Sequence, residues 1–356
     1  MRWLIPLFLA PAAFAQVDAF SSVDSNHDGK LSPTEVPEPL RPNFRMVDAD
    51  GDGFISKAEF TKVAQLAAVN PSTKLEHLKN IDYVGKDNPR QKLDLFVASD
   101  RAEKKRPLVV VIHGGGWLSG RKEDGLEVAR LLAGSGDYVT ATINYRLTQE
   151  AIWPAQIFDS KAAIRFLRGN AEEYGIDPEK VGVLGFSAGG HLVSMLGTSG
   201  DAKELEGKLG TFPSMSSRVQ AVVNFFGPAD FFTLFGKGTR VERVPKGNMA
   251  IKLLGKTDEE ITRNAKLASP VSWITKDDAP FLTAHGTEDH LVPFSQAVEL
   301  DAALKKSGVE SYLIAMEGAG HGFVNAELNV RIKQFLDQHL RGMEVGTISS
   351  TPIRVR

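Results

Sequence analysis

A short apolar run, Val181-Gly182-Val183-Leu184, enters Gly185-Phe186-Ser187-Ala188-Gly189-Gly190 and leaves as the helix-compatible His191-Leu192-Val193-Ser194-Met195-Leu196. Few backbones accommodate that order. A strand turning sharply into a helix strains the residue at the bend and lifts its side chain above the end of the sheet. Gly185 and Gly189 remove the Cβ atoms that would collide as the turn tightens. The bend residue is Ser187. Glycine-flanked serines are common in loops, so the pattern takes its meaning from the rest of the chain.

That surrounding chain alternates strand-like and helix-like stretches. Residues 92–97 alternate in polarity and read as an edge strand, whereas 108–112 form a continuous β-branched run suited to burial on both faces. Further buried-strand candidates are 138–143, 219–225, 281–284 and 312–315. Helical candidates are 124–133, 157–171, 192–196, 294–306 and 326–340. The alternation predicts an α/β fold with a doubly wound, mostly parallel sheet. Ligands on such sheets bind at the carboxyl ends of the strands.

Three further motifs fall at those ends. His113-Gly114-Gly115-Gly116-Trp117 follows the 108–112 run. Successive glycines let backbone N–H groups face a developing oxyanion, so Gly115 and Gly116, with Ala188 behind the serine, are the expected donors. His113 is expected to brace this loop, and Trp117 and Phe186 to wall a substrate pocket. Asp289 lies in the turn of His285-Gly-Thr-Glu-Asp-His290, and His321 in the loop Gly318-Ala-Gly-His-Gly-Phe323. Serine attacks only when an imidazole takes its proton and a carboxylate orients that imidazole. Ser187, Asp289 and His321 supply the set, with Glu288 and Asp230 as rival acids. His27, His77, His191 and His339 read as structural or solvated, and Asp159 as support for the start of its helix. The excursion 231–278 is either a cap over an acyl pocket or an apolar segment packed on the core.

The 356 residues carry a net charge of −2 and no basic run, which argues against nucleic acid as a partner. No cysteine is present, which removes disulfides, zinc–cysteine sites and thiol nucleophiles together. At the N-terminus, Arg2, the apolar stretch 4–12 and Ala13-Phe14-Ala15 read as a signal peptide over residues 1–15. The stretch is too short for a stable membrane span. The mature chain is then expected to start at Gln16 in a secreted or periplasmic location.

Two twelve-residue loops follow. Asp24, Asn26, Asp28, the Lys30 carbonyl and Glu35 occupy ligating positions of the first; Asp48, Asp50, Asp52, the Phe54 carbonyl and Glu59 occupy those of the second. Ser32 and Ser56 take position nine, Gly29 and Gly53 the turn position. Leu31 and Ile55 are placed to pair the loops through a short strand contact. The stretch resembles an EF-hand pair, spanning 16–70, with a linker at 71–77. Pro37, Pro39 and Pro42 leave no room for two full helices between the loops. Residues 17–64 hold nine acidic and five basic side chains, so Ca2+ is expected to fold this module by relieving self-repulsion rather than to switch an enzyme.

Residues 78–341 resemble the α/β-hydrolase family, specifically secreted bacterial esterases of the feruloyl-esterase and acetyl-xylan-esterase type, which are similar to hormone-sensitive-lipase-like enzymes. The likeness rests on the His-Gly-Gly-Gly loop, the Gly-x-Ser-x-Gly turn and the order Ser187, Asp289, His321. Ile81-Asp82-Tyr83, residues 87–94 and Trp153-Pro154-Ala155-Gln156 add to it. Phe186 departs from the acidic residue that hormone-sensitive-lipase-like enzymes usually carry before the serine, and Trp117 fits the feruloyl and acetyl-xylan group better. The resemblance implies a serine esterase needing no catalytic cofactor, acting on small or polysaccharide-linked esters. Alternatives are an amidase or peptidase of this fold, or a calcium-dependent binding module on a non-catalytic scaffold. The tail 342–356 lacks apolar periodicity and is expected to be mobile.

Overall fold

The computed structural model describes residues 19–36, 44–48, 50–60, 74–236 and 238–355. The expected signal peptide, the prolines between the loops and residues 61–73, which include most of the helix-compatible stretch 57–69 of the sequence, lie outside these residues.

Two short strands, β1 (Lys30–Leu31) and β2 (Ile55–Ser56), pair antiparallel with Leu31 opposite Ile55. Both side chains are buried with Phe20, Val36, Phe44, Val47 and Phe60 in a small separate core. The remaining strands are β3 (Leu75–Asp82), β4 (Lys92–Ala98), β5 (Arg106–Ile112), β6 (Val139–Ile143), β7 (Ile176–Phe186), β8 (Ala221–Phe225), β9 (Phe281–Gly286), β10 (Ser311–Glu317) and β11 (Ile353–Arg354). They form one sheet in the order β11-β10-β9-β8-β7-β5-β6-β4-β3. Pairing from β11 through β6 is parallel, and only β4 and β3 add antiparallel contacts.

Alternation along the buried strands assigns side chains to the two faces. In β5, Leu108, Val110 and Ile112 join one core, with Ile157 and Ile164 of helix Ala155–Gly169 and Leu192 of helix Ala188–Thr198. Val109 and Val111 join the other, with Val128 of helix Leu126–Gly134 and Phe335 of helix Ala326–Arg341. Each side chain so buried contributes roughly 1.5–3 kcal/mol, and covering both faces leaves the carboxyl ends of the strands as the place for chemistry.

Several expectations are corrected. β4 is no edge: it pairs antiparallel with both β6 and β3, and β3 forms the border. Its alternation misled because the strand beside it continues the sheet. β3 begins at Leu75, so residues 75–77 belong to the sheet rather than to a linker. His77 bonds Asp94 at 3.0 Å across that border. The tail is tied down: β11 pairs with β10, Ile348 and Ile353 are buried, and the Arg331 guanidinium donates to the carbonyls of Ser349 and Thr351. Asp159 lies inside its helix, fully buried, where it accepts from Arg146 and Gln91 and joins three elements instead of starting one.

The excursion 231–278 packs on the core. Phe231, Ile251, Leu253, Leu254 and Ile261 are fully buried, while Phe232 and Met249 stay exposed. It leaves and returns through a narrow neck. The Phe231 N–H donates to Ser269 Oγ at 2.9 Å and the Val271 N–H to the Ala229 carbonyl at 3.3 Å. Gln296 Oε1 holds the N–H groups of Ala229 and Asp230 from the neighbouring helix, both at 2.9 Å.

Candidate active site

Ser187 stands between β7 and the helix it caps, with φ 54° and ψ −116°, a conformation that costs a non-glycine residue energy. The glycines explain how the turn survives. A Cβ on Gly185 would meet the Gly189 carbonyl, and one on Gly189 would meet the carbonyls of Ile112 and His113. The turn therefore presses directly on the end of β5.

Ser187 Oγ lies 2.9 Å from His321 Nε2, and His321 Nδ1 lies 2.7 Å from Asp289 Oδ2. The structure thus brings together three side chains from the ends of β7, β9 and β10. Glu288 is exposed, and Asp230 accepts from the Phe232 N–H instead, so neither rival acid reaches the imidazole. Asp289 is 6% exposed. Burial alone would raise its pKa, but hydrogen bonds from His285, His321 and the Val292 N–H hold it well below the ordinary carboxylate range. The carboxylate is therefore kept charged beside the imidazole.

The glycine loop lies against the serine: a Cβ on Gly114 would come within 3.3 Å of Ser187 Cβ. Gly115 and Gly116 adopt φ of 104° and 60°, and no described residue accepts from either N–H. Ala188 is the first residue of its helix, where the N–H has no intrahelical acceptor and the helix dipole is positive. His113 braces the loop: its Nδ1 donates to the Gly114 carbonyl at 2.7 Å and its ring stacks on Tyr145 at 4.4 Å. Burial pushes its pKa down to about 4.

Trp117 does not wall an open pocket as expected. Its indole is 4% exposed and packs against His191 and Phe231, because the left-handed backbone at φ 58° places it among core rings. Phe186 is half-buried beside Phe225 and Phe226. Sequence reasoning missed Phe226, whose ring lies 4.6 Å from His321, and Phe323, which packs on it. Met249 belongs to the excursion 231–278, one reading of which was a cap over the pocket, and its Sδ would lie 2.5 Å from a Cβ on Gly116. The Gly-His-Gly-Phe motif was a signal for Phe323; nothing local marked Phe226.

The two loops repeat one geometry. Oδ2 of Asp24 and of Asp48 accepts from Gly29 and Gly53, at 3.0 and 3.1 Å. Asn26 Oδ1 takes the Asp28 N–H and Asp50 Oδ1 the Asp52 N–H, while Asp28 and Asp52 accept from Lys30 and Phe54. Glu35 and Glu59 each close on the position-nine serine, and those bonds hold Glu35 down at about 2. Lys30 and Phe54 sit at the mouths of β1 and β2, and the Lys30 ammonium meets Asp52 at 3.1 Å. Oxygens of Asp48, Asp50 and Asp52 lie within 4.8 Å of one another. Asp24 Oδ1 and Asp48 Oδ1 are buried without a protein partner. In each loop a set of hard oxygens that includes one orphaned carboxylate oxygen fits a calcium ion.

Comparison with known proteins agrees with both parts. The BD-FAE family model matches residues 93–304, and the EF hand model matches 17–36 and 43–64. Esterase LipC of Mycobacterium tuberculosis is 32% identical over 246 residues, covering 67% of this chain and 58% of that protein. The chain spans about half the length of the curated relatives it matches. Among solved structures, a truncated form of carbohydrate esterase from gut microbiota shares 29% identity at a TM-score of 0.68, covering 76% of this chain and 98% of that one. Thermogutta terrifontis esterase 2 phosphonylated by sarin shares 26% at 0.60, covering 75% and 95%.

Proposed function

Because the chain belongs to the BD-FAE family of α/β-hydrolases, we propose that it is a serine carboxylic-ester hydrolase working by two-step acyl transfer. His321 Nε2 takes the proton of Ser187 Oγ as that oxygen attacks the ester carbonyl carbon. The carbonyl oxygen becomes an oxyanion held by the N–H groups of Gly115, Gly116 and Ala188. Asp289 stabilises the imidazolium formed at His321 without taking its proton. As the C–O bond to the alcohol breaks, His321 returns the proton to the departing oxygen. Water then gives a proton to His321 as its oxygen attacks the acyl carbon. His321 passes that proton to Ser187 Oγ as the acyl C–Oγ bond breaks, which releases the acid and restores Ser187. The observation that carries this reading is the continuous contact from Ser187 Oγ through the imidazole to Asp289 Oδ2, at 2.9 and 2.7 Å.

Acetyl or feruloyl esters of plant-wall polysaccharide are the proposed substrates, supported by the carbohydrate-esterase neighbour. The signal-peptide pattern supports a secreted or periplasmic enzyme. Asp24, Asn26, Asp28, Lys30 and Glu35, with Asp48, Asp50, Asp52, Phe54 and Glu59, would hold calcium, which would neutralise the crowded carboxylates and fix the loops.

Ser187→Ala tests the nucleophile. Turnover of p-nitrophenyl acetate should fall by roughly 10⁴–10⁶-fold with melting unchanged, and unchanged turnover refutes the assignment. A fluorophosphonate should label the parent enzyme at Ser187. Acetylated xylan, feruloylated sugars and acyl esters of graded length, compared by kcat/KM, then fix the substrate class.

A further inference from the structure

Asp289 is held by more than the imidazole it faces. Its Oδ1 accepts from the N–H groups of Leu291 and Val292, at 2.8 and 2.9 Å. Its Oδ2 accepts from His321 and also lies 3.3 Å from Nε2 of a second histidine, His285. His285 is the fifth residue of β9, fully buried, with Phe226 and Phe294 edge-on at 6.4 and 5.8 Å. Its Nε2 lies 2.8 Å from the Val292 carbonyl. A carbonyl only accepts, so Nε2 carries the proton. Nδ1 is buried with no partner, which suits a bare ring nitrogen.

We propose that His285 is the positioning residue of this site: its single N–H, shared between the Val292 carbonyl and Asp289 Oδ2, locks the turn 289–292 so that the carboxylate meets His321 in one orientation. The inference rests on the esterase reading and deepens it. One residue closes the turn from both sides. Val292 donates its N–H to Oδ1 of Asp289, and its carbonyl accepts from the Nε2–H of His285, whose ring is rooted in the sheet. The turn otherwise carries exposed Glu288, His290 and Leu291. Its start is tied by the Glu288 N–H to the Ala319 carbonyl at 2.9 Å, and its far end, 289–292, is where His285 and Asp289 act. The polar contacts of His285 go to Val292 and Asp289, so its N–H acts on the reaction through Asp289, while its ring meets Phe226, which packs on His321.

The test compares His285→Phe, which keeps the buried ring and removes the donor, with His285→Gln, which restores an amide N–H at similar reach. With p-nitrophenyl acetate, kcat of the Phe variant should fall at least about tenfold, toward the order of 10⁴ that losing carboxylate guidance costs a triad. KM should change little and the Gln variant should recover most of the loss. In an Asp289→Ala background, His285→Phe should cost almost nothing further, since residues acting as a unit are not additive. Full kcat in a folded Phe variant, or an undiminished loss in the Asp289→Ala background, overturns the proposal. Should the Phe variant not fold, ¹⁵N-histidine spectra of the parent enzyme decide: an Nε2–H tautomer at His285 supports the proposal and an Nδ1–H tautomer overturns it. A parent enzyme that hydrolyses no ester would instead sink the esterase reading, and the spectra would still report on the turn.

Discussion

Lowering the pH from 7 to 5 should destabilise the fold through two histidines that never meet the substrate in the proposed reaction. His113 and His191 are buried, and burial pushes both from 6.5 down to about 4. His191 lies among Trp117, Trp153 and Phe231, with Nε2 donating to the Ala268 carbonyl at 2.6 Å and Nδ1 unpartnered. A depressed folded value means that the unfolded chain binds the proton first. The stabilisation is thus present above 6.5 and drains away as pH falls toward about 4. Linkage gives a loss of about 2 kcal/mol per histidine over this interval.

Asp278 acts in the opposite sense. Burial lifts its carboxyl to about 6, so its contribution is full below the unfolded value of 3.8 and is lost as pH rises through about 6. It returns about 1 kcal/mol on going to pH 5, leaving a net loss of about 2–3 kcal/mol. Urea unfolding followed by tryptophan fluorescence at the two pH values measures the difference. In His191→Gln, whose amide can still donate to Ala268, the loss should shrink by about 2 kcal/mol. If that variant is folded at pH 7 and loses as much stability as the parent, the reasoning is wrong.

Met249→Ala should open the site beside Gly116, raising kcat/KM for bulky esters over p-nitrophenyl acetate by about tenfold with melting unchanged; equal ratios would remove Met249 from the pocket. Chelation with EDTA should lower the melting temperature of the N-terminal module and leave turnover as it was, whereas a large drop in turnover at constant melting would make calcium a switch. Deleting residues 348–356 exposes the partners of Ile348 and Ile353 and should cost roughly 3–6 kcal/mol, read as a fall in the urea midpoint; an unchanged midpoint would show the packed tail to be dispensable.

What could be read from the residues alone was the chemistry at the ends of strands. Ser187, Asp289, His321 and the glycine loop each followed a short apolar strand-like run, and parallel sheets gather such ends on one side. The acidic loops were equally plain because each ligand position is fixed by local count. Facing direction was harder to read. Trp117 follows three glycines, and only its left-handed backbone turns the indole into the core. β4 alternates as a border strand would, yet β3 covers it, and that pairing depends on residues from 75 onward whose own pattern is mixed. His285 stood in plain view at the end of β9. Its grip on Val292 depends on how the following turn folds back, a tertiary fact with no local pattern.

The neck at Ala229 and Val271 makes the excursion between β8 and β9 a cassette. Its two ends are clamped within hydrogen-bond distance of each other, and Gln296 holds the entry from outside. A donor segment of different length could be grafted there provided it refills the core places of Phe231, Ile251, Leu253, Leu254 and Ile261 and keeps a carbonyl for His191. The surface over Gly116 can therefore diverge between descendants of one gene while the proton-handling parts stay as they are, and a laboratory library could exploit the same seam.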